Sequence, residues 1–275
     1  MSSQQLEYEI KPKGKLTLGL KEVWEYRELF FFFAWRDIKV KYKQTVFGIL
    51  WAVLQPFMLM IVFTFFFSKI VGAPSEIPYA VFVYSGLLLW SIFSTGLTGS
   101  ANSMVSHANI IKKIYFPRLV IPMSSILVAM VDFVMAFLVY VGILIYYQHP
   151  VNLNILIYMP LAILITMLFT FGLGCFLAAL NVKYRDFRYV VPFLVQFLFF
   201  LTPIIYPVTI TDNPIVRAIL SFNPMAGAIE LLRSSLIGNE VNWISVYIAI
   251  GSSLAIFIIG LLYFKNTEHY FADVA

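Results

Sequence analysis

Six stretches of this chain, each about 18 residues or longer, contain no Asp, Glu, Lys or Arg apart from a single aspartate. They run over residues 47–67, 78–105, 119–147, 151–182, 189–206 and 241–264, and the aspartate is Asp132 in the third. A hydrocarbon layer about 30 Å thick is crossed by about 20 apolar residues wound as a helix. Backbone N–H and C=O groups find no water there, so each such run has to satisfy its own hydrogen bonds, and a helix does so. A transmembrane barrel would show short strands of alternating polarity, and that pattern is missing. Composition agrees: 61% of residues are hydrophobic and 12% charged, too little polar surface to clothe a soluble globule. The expectation is an all-α integral membrane protein with about six transmembrane helices.

Orientation follows from the basic residues. Six spans put both termini on one side of the membrane. Of the 19 Lys and Arg, only Lys69, Arg217 and Arg233 fall on the other side. The positive-inside rule makes the rich side cytoplasmic. The net charge of +5 belongs to this asymmetry and implies no nucleic-acid partner. Residues 1–15 are polar, with no apolar core of a signal peptide, so targeting is expected to lie in the first span. Three regions result: a cytoplasmic tail and interface helix over 1–46, a six-helix membrane domain over 47–264, and a cytoplasmic tail over 265–275.

Three pieces are not simple spans. Residues 20–43 have helical spacing, with Leu20, Trp24, Phe31, Ala34, Trp35, Ile38 and Tyr42 on one broad face, and so read as an amphipathic helix lying in the membrane interface. The short basic loop after the second span carries Lys112, Lys113, Tyr115, Phe116 and Arg118 and suits docking of a cytoplasmic partner, although an ordinary basic flank has the same composition. Residues 209–242, broken by Pro214, Pro224 and Gly227, hold two apolar segments, Ile215 to Leu220 and Met225 to Leu236, each too short to span. They read as short re-entrant helices on the outer side, shielded by the spans.

Chemistry-bearing motifs are scarce. The chain has no phosphate-binding P-loop, no nucleophile elbow, and no metal-ligand spacing among His107, His149 and His269. A catalytic role and a metal site are therefore not expected. The lone Cys175 reads as a packing residue. Asp132 is expected to face the bundle interior and accept hydrogen bonds, with Gln196 as one candidate partner. Aromatic residues make up 17% of the chain. Most such rings in spans contact lipid or anchor the interface. Collectively, Trp51, Phe57, Trp90, Phe93, Phe197 and Phe200 are also candidates to line a passage along which sugar rings stack weakly and slide.

The segment Trp35-Arg36-Asp37-Ile38-Lys39-Val40-Lys41-Tyr42-Lys43-Gln44-Thr45-Val46-Phe47-Gly48-Ile49-Leu50-Trp51-Ala52-Val53-Leu54-Gln55-Pro56 resembles the start of ABC-type polysaccharide exporter permeases of the Wzm-like, O-antigen-exporting kind. Phe116-Pro117-Arg118, Leu180 to Asp186, Thr202-Pro203-Ile204-Ile205-Tyr206, Asn223-Pro224 and the region from Phe264 to Phe271 resemble the same family in the same order. The resemblance implies half of a transporter. Two copies would pair around a channel, each docking a separate subunit that binds ATP and Mg²⁺, so that this chain carries no cofactor of its own. The cargo would be a glycan on a polyprenyl diphosphate lipid, in the inner membrane of a bacterium. On that basis Arg36, Lys39, Lys41 and Lys43, with Gly48 at the turn into the first span, are expected to draw the diphosphate. Lys112, Lys113, Tyr115, Phe116 and Arg118 would couple to the ATPase. Arg185 and Asp186 would pair with each other or with the basic start region. Rival readings are a secondary transporter or channel, a membrane transferase acting on lipid-linked sugars, and an ABC permease for another cargo.

Overall fold

The computed structural model describes residues 20–43, 45, 47–68, 77–208, 213, 219–238 and 240–271. Its principal helices are α1 (Leu20–Glu25), α2 (Arg27–Tyr42), α3 (Leu50–Phe67), α4 (Tyr79–Ser106), α5 (Ala108–Ile111), α6 (Val120–Tyr146), α7 (Ile155–Lys183), α8 (Phe187–Leu201), α9 (Pro224–Ile237) and α10 (Trp243–Thr267). Among the described residues, α3, α4, α6, α7 and α10 are long and apolar enough to cross a membrane. The chain is a multi-pass helical membrane protein.

The fifth predicted span is shorter than expected. Residues 189–206 read as one helix, but α8 stops at Leu201 after 15 residues, about 22 Å at 1.5 Å per residue. Thr202 turns extended, with φ −87° and ψ 135°. It precedes Pro203, whose ring crowds an α conformation at the residue before it. The Thr202 hydroxyl folds back to donate to the Leu198 carbonyl at 2.7 Å.

The predicted interface helix is also divided. It breaks at Tyr26 into α1 and α2, and of the predicted apolar face only Ala34 is buried among the residues whose side chains are described. Phe33 and Ala34 face the protein, whereas Trp24, Phe31 and Trp35 are exposed. Helical spacing finds an apolar stripe but does not distinguish a protein-facing side from a lipid-facing one.

The core centres on α4, which is buried along most of its length and packs against α6 and α7. In lipid there is little hydrophobic drive between helices, so close approach through small residues holds the bundle together. Gly174 meets Ser100 between α7 and α4, where an added Cβ would lie 2.6 Å from the serine Cβ. At the crossing of α7 and α10, Gly260 lies against the Gly172 carbonyl, and a Cβ on Gly172 would sit 2.6 Å from the Phe257 nitrogen. Polar side chains add cross-links: Asn181 on α7 donates to the Ala101 carbonyl and the Asn102 Oδ1 of α4, both at 3.0 Å.

Met225 to Leu236 is helical as predicted and forms most of α9. The companion segment Ile215 to Leu220 lies largely outside the described residues. Asn223 caps α9 by accepting from the Met225 N–H at 3.0 Å, Pro224 occupies the first turn, and Gly238 closes the helix at φ 78°. With 14 residues, α9 is about 21 Å long, too short to span, and it is enclosed by α4, α7 and α10.

Candidate substrate groove and coupling surface

Helix α2 carries the basic residues singled out in the sequence, and the structure separates them into two groups. Lys39 and Lys43 are exposed, with the Lys39 ammonium 5.1 Å from the Trp35 ring centroid. Arg36 and Lys41 turn toward the bundle. Arg36 donates through Nη2 to Asp37 Oδ1 at 2.8 Å and to His107 Nε2, and it stacks 5.2 Å from the Phe33 ring centroid. His107 ends α4, and its Nδ1 lies 2.7 Å from the Ser103 carbonyl. A carbonyl only accepts, so Nδ1 holds the proton and Nε2 is free to accept from Arg36. Burial pushes the His107 pKa below its ordinary value, which favours this neutral form.

The second attachment of α2 lies one turn further on. Lys41 Nζ reaches Asp132 Oδ2, and the Tyr42 hydroxyl donates to Oδ1 of the same carboxylate. Burial, then the hydrogen bond and charge of Asp132, raise the Tyr42 pKa, so the phenol stays a donor. Asp132 does face the interior, as expected, but its partners belong to α2. Gln196 lines the same cavity from α8 without bonding to it. Gly48 sits at the turn into α3 with φ 51°, a left-handed conformation that favours glycine.

Lys41 stands where two cavities meet. One, of about 480 Å³, is walled by Trp51, Phe63, Trp90, Phe199 and Phe200 together with Gln55, Asp132 and Gln196. The other, of about 630 Å³, extends past Asp37 to His107. Both share Lys41, Gln55, Ser94 and Thr95. One face of α4 supplies a polar track along them: Ser91, Ser94, Thr95, Thr98, Asn102, Ser103 and Ser106. Its residues recur at spacings of three and four, so they stack on one side of a helix. From Ser91 to Ser106 the track extends about 22 Å along the axis. This row of hydroxyls was present in the sequence as a signal, hidden within an otherwise apolar span.

Of the candidate rings, Trp51, Trp90 and Phe200 line the first cavity. Phe63 and Phe199 join them, stacked at 5.9 Å. Phe197 points outward from α8, Phe57 packs at the core's edge, and Phe93 is fully buried, stacked on Phe169 at 5.0 Å.

The loop after α4 has an anchored half and an exposed half. Phe116 is buried, its centroid 5.6 Å from that of Phe33. Arg118 donates to the Glu268 carbonyl and lies 5.9 Å from the Phe271 ring, tying the loop to the end of α10. Lys112, Lys113, Ile114 and Tyr115 project outward, with Tyr115 84% exposed. Among the described residues, Arg185 and Asp186 form no ion pair, and both are exposed at the start of α8.

Arg233, counted in the sequence only as a charge on the outer side, is buried on α9. Its Nη1 donates to the Pro203 carbonyl at 2.8 Å, and Nη2 donates to Ile204 at 2.6 Å and Phe82 at 3.1 Å. Its Nε reaches the Ser85 hydroxyl at 3.3 Å, and the guanidinium lies 3.5 Å from the Phe82 ring centroid. The break after α8 leaves carbonyls without helical partners, and Arg233 supplies the donors.

Comparison with known families decides the assignment: residues 28–237 match the model of the ABC-2 type transporter family. The chain belongs to the ABC-2 type transporter family. Among curated relatives of this ABC-2 chain, the O-antigen export system permease protein RfbA of Klebsiella pneumoniae is 30% identical over 240 residues, 87% of this chain and 92% of its own length. The protein of the same name from Myxococcus xanthus is 32% identical over 209 residues, covering 75% of this chain and 79% of its own length. The polysialic acid transport protein KpsM of Escherichia coli is 21% identical over 248 residues, covering 85% and 91%. The family match takes in α2, the cavities, the exposed loop and α9.

Proposed function

We propose that this ABC-2 chain is the permease subunit of an exporter that carries a polyprenyl-diphosphate-linked, O-antigen-like polysaccharide from the cytoplasm across the bacterial inner membrane. The observation that carries the reading is the hydroxyl track of α4 beside the rings of Trp51, Phe63, Trp90, Phe199 and Phe200. A hydroxyl row beside aromatic faces forms a wall along which a polyhydroxylated chain slides. The names of the relatives, O-antigen export permeases and a polysialic acid transport protein, point to the same class of cargo.

In this reading both termini are cytoplasmic and two copies pair around the passage. Each copy docks a separate ATPase subunit, which binds ATP and Mg²⁺. Residues 1–46 form the cytoplasmic tail and interface helix, 47–264 the membrane domain, and 265–275 the cytoplasmic tail. Lipid diphosphate loads beside α2, drawn by Arg36, Lys39, Lys41 and Lys43. The exposed residues Lys112, Lys113 and Tyr115 meet the ATPase, while Phe116 and Arg118 pass its movement to α2 and to the end of α10. The chain performs no chemical step; it binds, guides and changes shape.

The test is export in the native host together with co-purification. Deleting the gene should abolish the surface polysaccharide. Tyr115→Ala should lower the amount of ATPase that co-purifies while leaving the permease in the membrane, because the ring is 84% exposed and little of the fold's packing rests on it. Export by the chain in the absence of any ATPase would overturn the proposal.

A further inference from the structure

The ion pair between α2 and α6 lies in the substrate groove. Asp132 is the one acidic residue of α6, which has no Lys, Arg or His, and its side chain is only 6% exposed. Both of its carboxylate oxygens are engaged by consecutive residues of α2, Lys41 and Tyr42, and, among the described residues, by no group of the membrane bundle. Lys41 is half-open, with 39% side-chain exposure, and it lines both cavities. A carboxylate in an apolar span is costly to keep unless it is paired. Its placement therefore ties the end of α2 to α6.

We infer that this pair is a latch opened by cargo: the phosphate groups of a lipid-linked substrate take Lys41 from Asp132, and the end of α2 then leaves α6. This deepens the proposed function and rests on its reading of the cargo as a polyprenyl diphosphate. A diphosphate carries more negative charge than a carboxylate and offers more acceptor oxygens, so it competes for the ammonium from the open side. Once it sits beside Lys41, it and Asp132 are like charges in a poorly solvated groove, and their repulsion separates the two helices. The displacement has a route to the outside. Phe33 on α2 packs on His107 and on Phe116, and Phe116 belongs to the loop that presents Tyr115. Loading is thereby reported to the docked ATPase, and an empty permease holds hydrolysis low. Lys39 and Lys43 face away from the groove and serve only to attract the headgroup.

The experiment measures ATP hydrolysis by the whole transporter, permease plus ATPase subunits, in lipid nanodiscs. Three conditions are compared: no addition, polyprenyl diphosphate in the bilayer, and inorganic pyrophosphate in solution. Wild type should be stimulated about fivefold or more by the lipid, the lower end of ordinary coupling between sites. Asp132→Asn should hydrolyse ATP at close to the stimulated rate with nothing added, and the lipid should add little. Tyr42→Phe, which removes one hydroxyl, should raise the basal rate part of the way, and it serves if Asp132→Asn cannot be purified. Stimulation by pyrophosphate as well would show that the headgroup alone opens the latch. If wild type responds while both variants keep the wild-type basal rate and response, the latch is refuted and the cargo reading survives. If wild type responds to neither compound, the cargo reading fails and the latch with it.

Discussion

Replacing Arg233 by methionine should loosen the bundle around the break after α8. The Arg233 guanidinium donates to the carbonyls of Pro203, Ile204 and Phe82 and to the Ser85 hydroxyl. Methionine fills much of the same volume and donates nothing. Each buried carbonyl left without a partner costs roughly 1–3 kcal/mol. The Phe82 carbonyl keeps the Ser85 hydroxyl, so the two carbonyls orphaned are those of Pro203 and Ile204, about 2–6 kcal/mol, offset in part because the variant no longer buries a cation. The net loss is therefore about 3 kcal/mol. For a chain of this size each kcal/mol lowers the melting midpoint by roughly 2–4 °C, so Arg233→Met should melt about 6–12 °C lower. Arg233→Lys keeps the charge and up to three donors and should fall between the two. The assay is thermal unfolding of the purified permease in detergent, followed by intrinsic fluorescence. A variant melting within a degree or two of wild type would refute the claim that Arg233 satisfies the broken end of α8.

The crossing of α7 and α10 should be equally sensitive. Gly260→Ala drives a methyl into the Gly172 backbone, which cannot yield as a flexible side chain would, and it should cost about 3 kcal/mol or prevent accumulation in the membrane. Gly251→Ala, where nothing lies within 4 Å of the added carbon, should be tolerated; equal yields of the two variants in membrane fractions would contradict the packing argument. The His107 contact should weaken in acid. Its folded pKa lies below the ordinary His value, so its contribution is complete above about pH 6.5 and is lost as pH falls through the lower folded value. A proton on Nε2 removes the acceptor for Arg36 and sets two cations together, which Asp37, 3.5 Å from His107, only partly offsets. The melting midpoint should therefore drop between pH 7 and pH 5, and His107→Gln should flatten that slope.

Much of the fold is legible in the sequence because the membrane simplifies the problem. A run of apolar residues that meets no water has to become a helix whatever it packs against, so α3, α4, α6, α7 and α10 fall where hydropathy places them. The turn at Gly48, the caps of α9 and the serine-threonine row of α4 are local patterns of the same kind. The stop after Leu201 was written in Thr202-Pro203, a signal outweighed by the apolar residues on either side.

What the tertiary structure alone decided are pairings between residues far apart in the chain. Asp132 finds Lys41 and Tyr42, 91 and 90 positions away, although Gln196 stands in the same cavity. Arg233 closes a helix end 29 and 30 residues earlier. Phe93 enters the core while Phe199, in a neighbouring helix, enters the groove. Hydropathy sums over a single segment and is blind to which side of a helix meets lipid, protein or cavity. That choice is made when the helices pack, because only then do a charge's partner and a ring's neighbours exist.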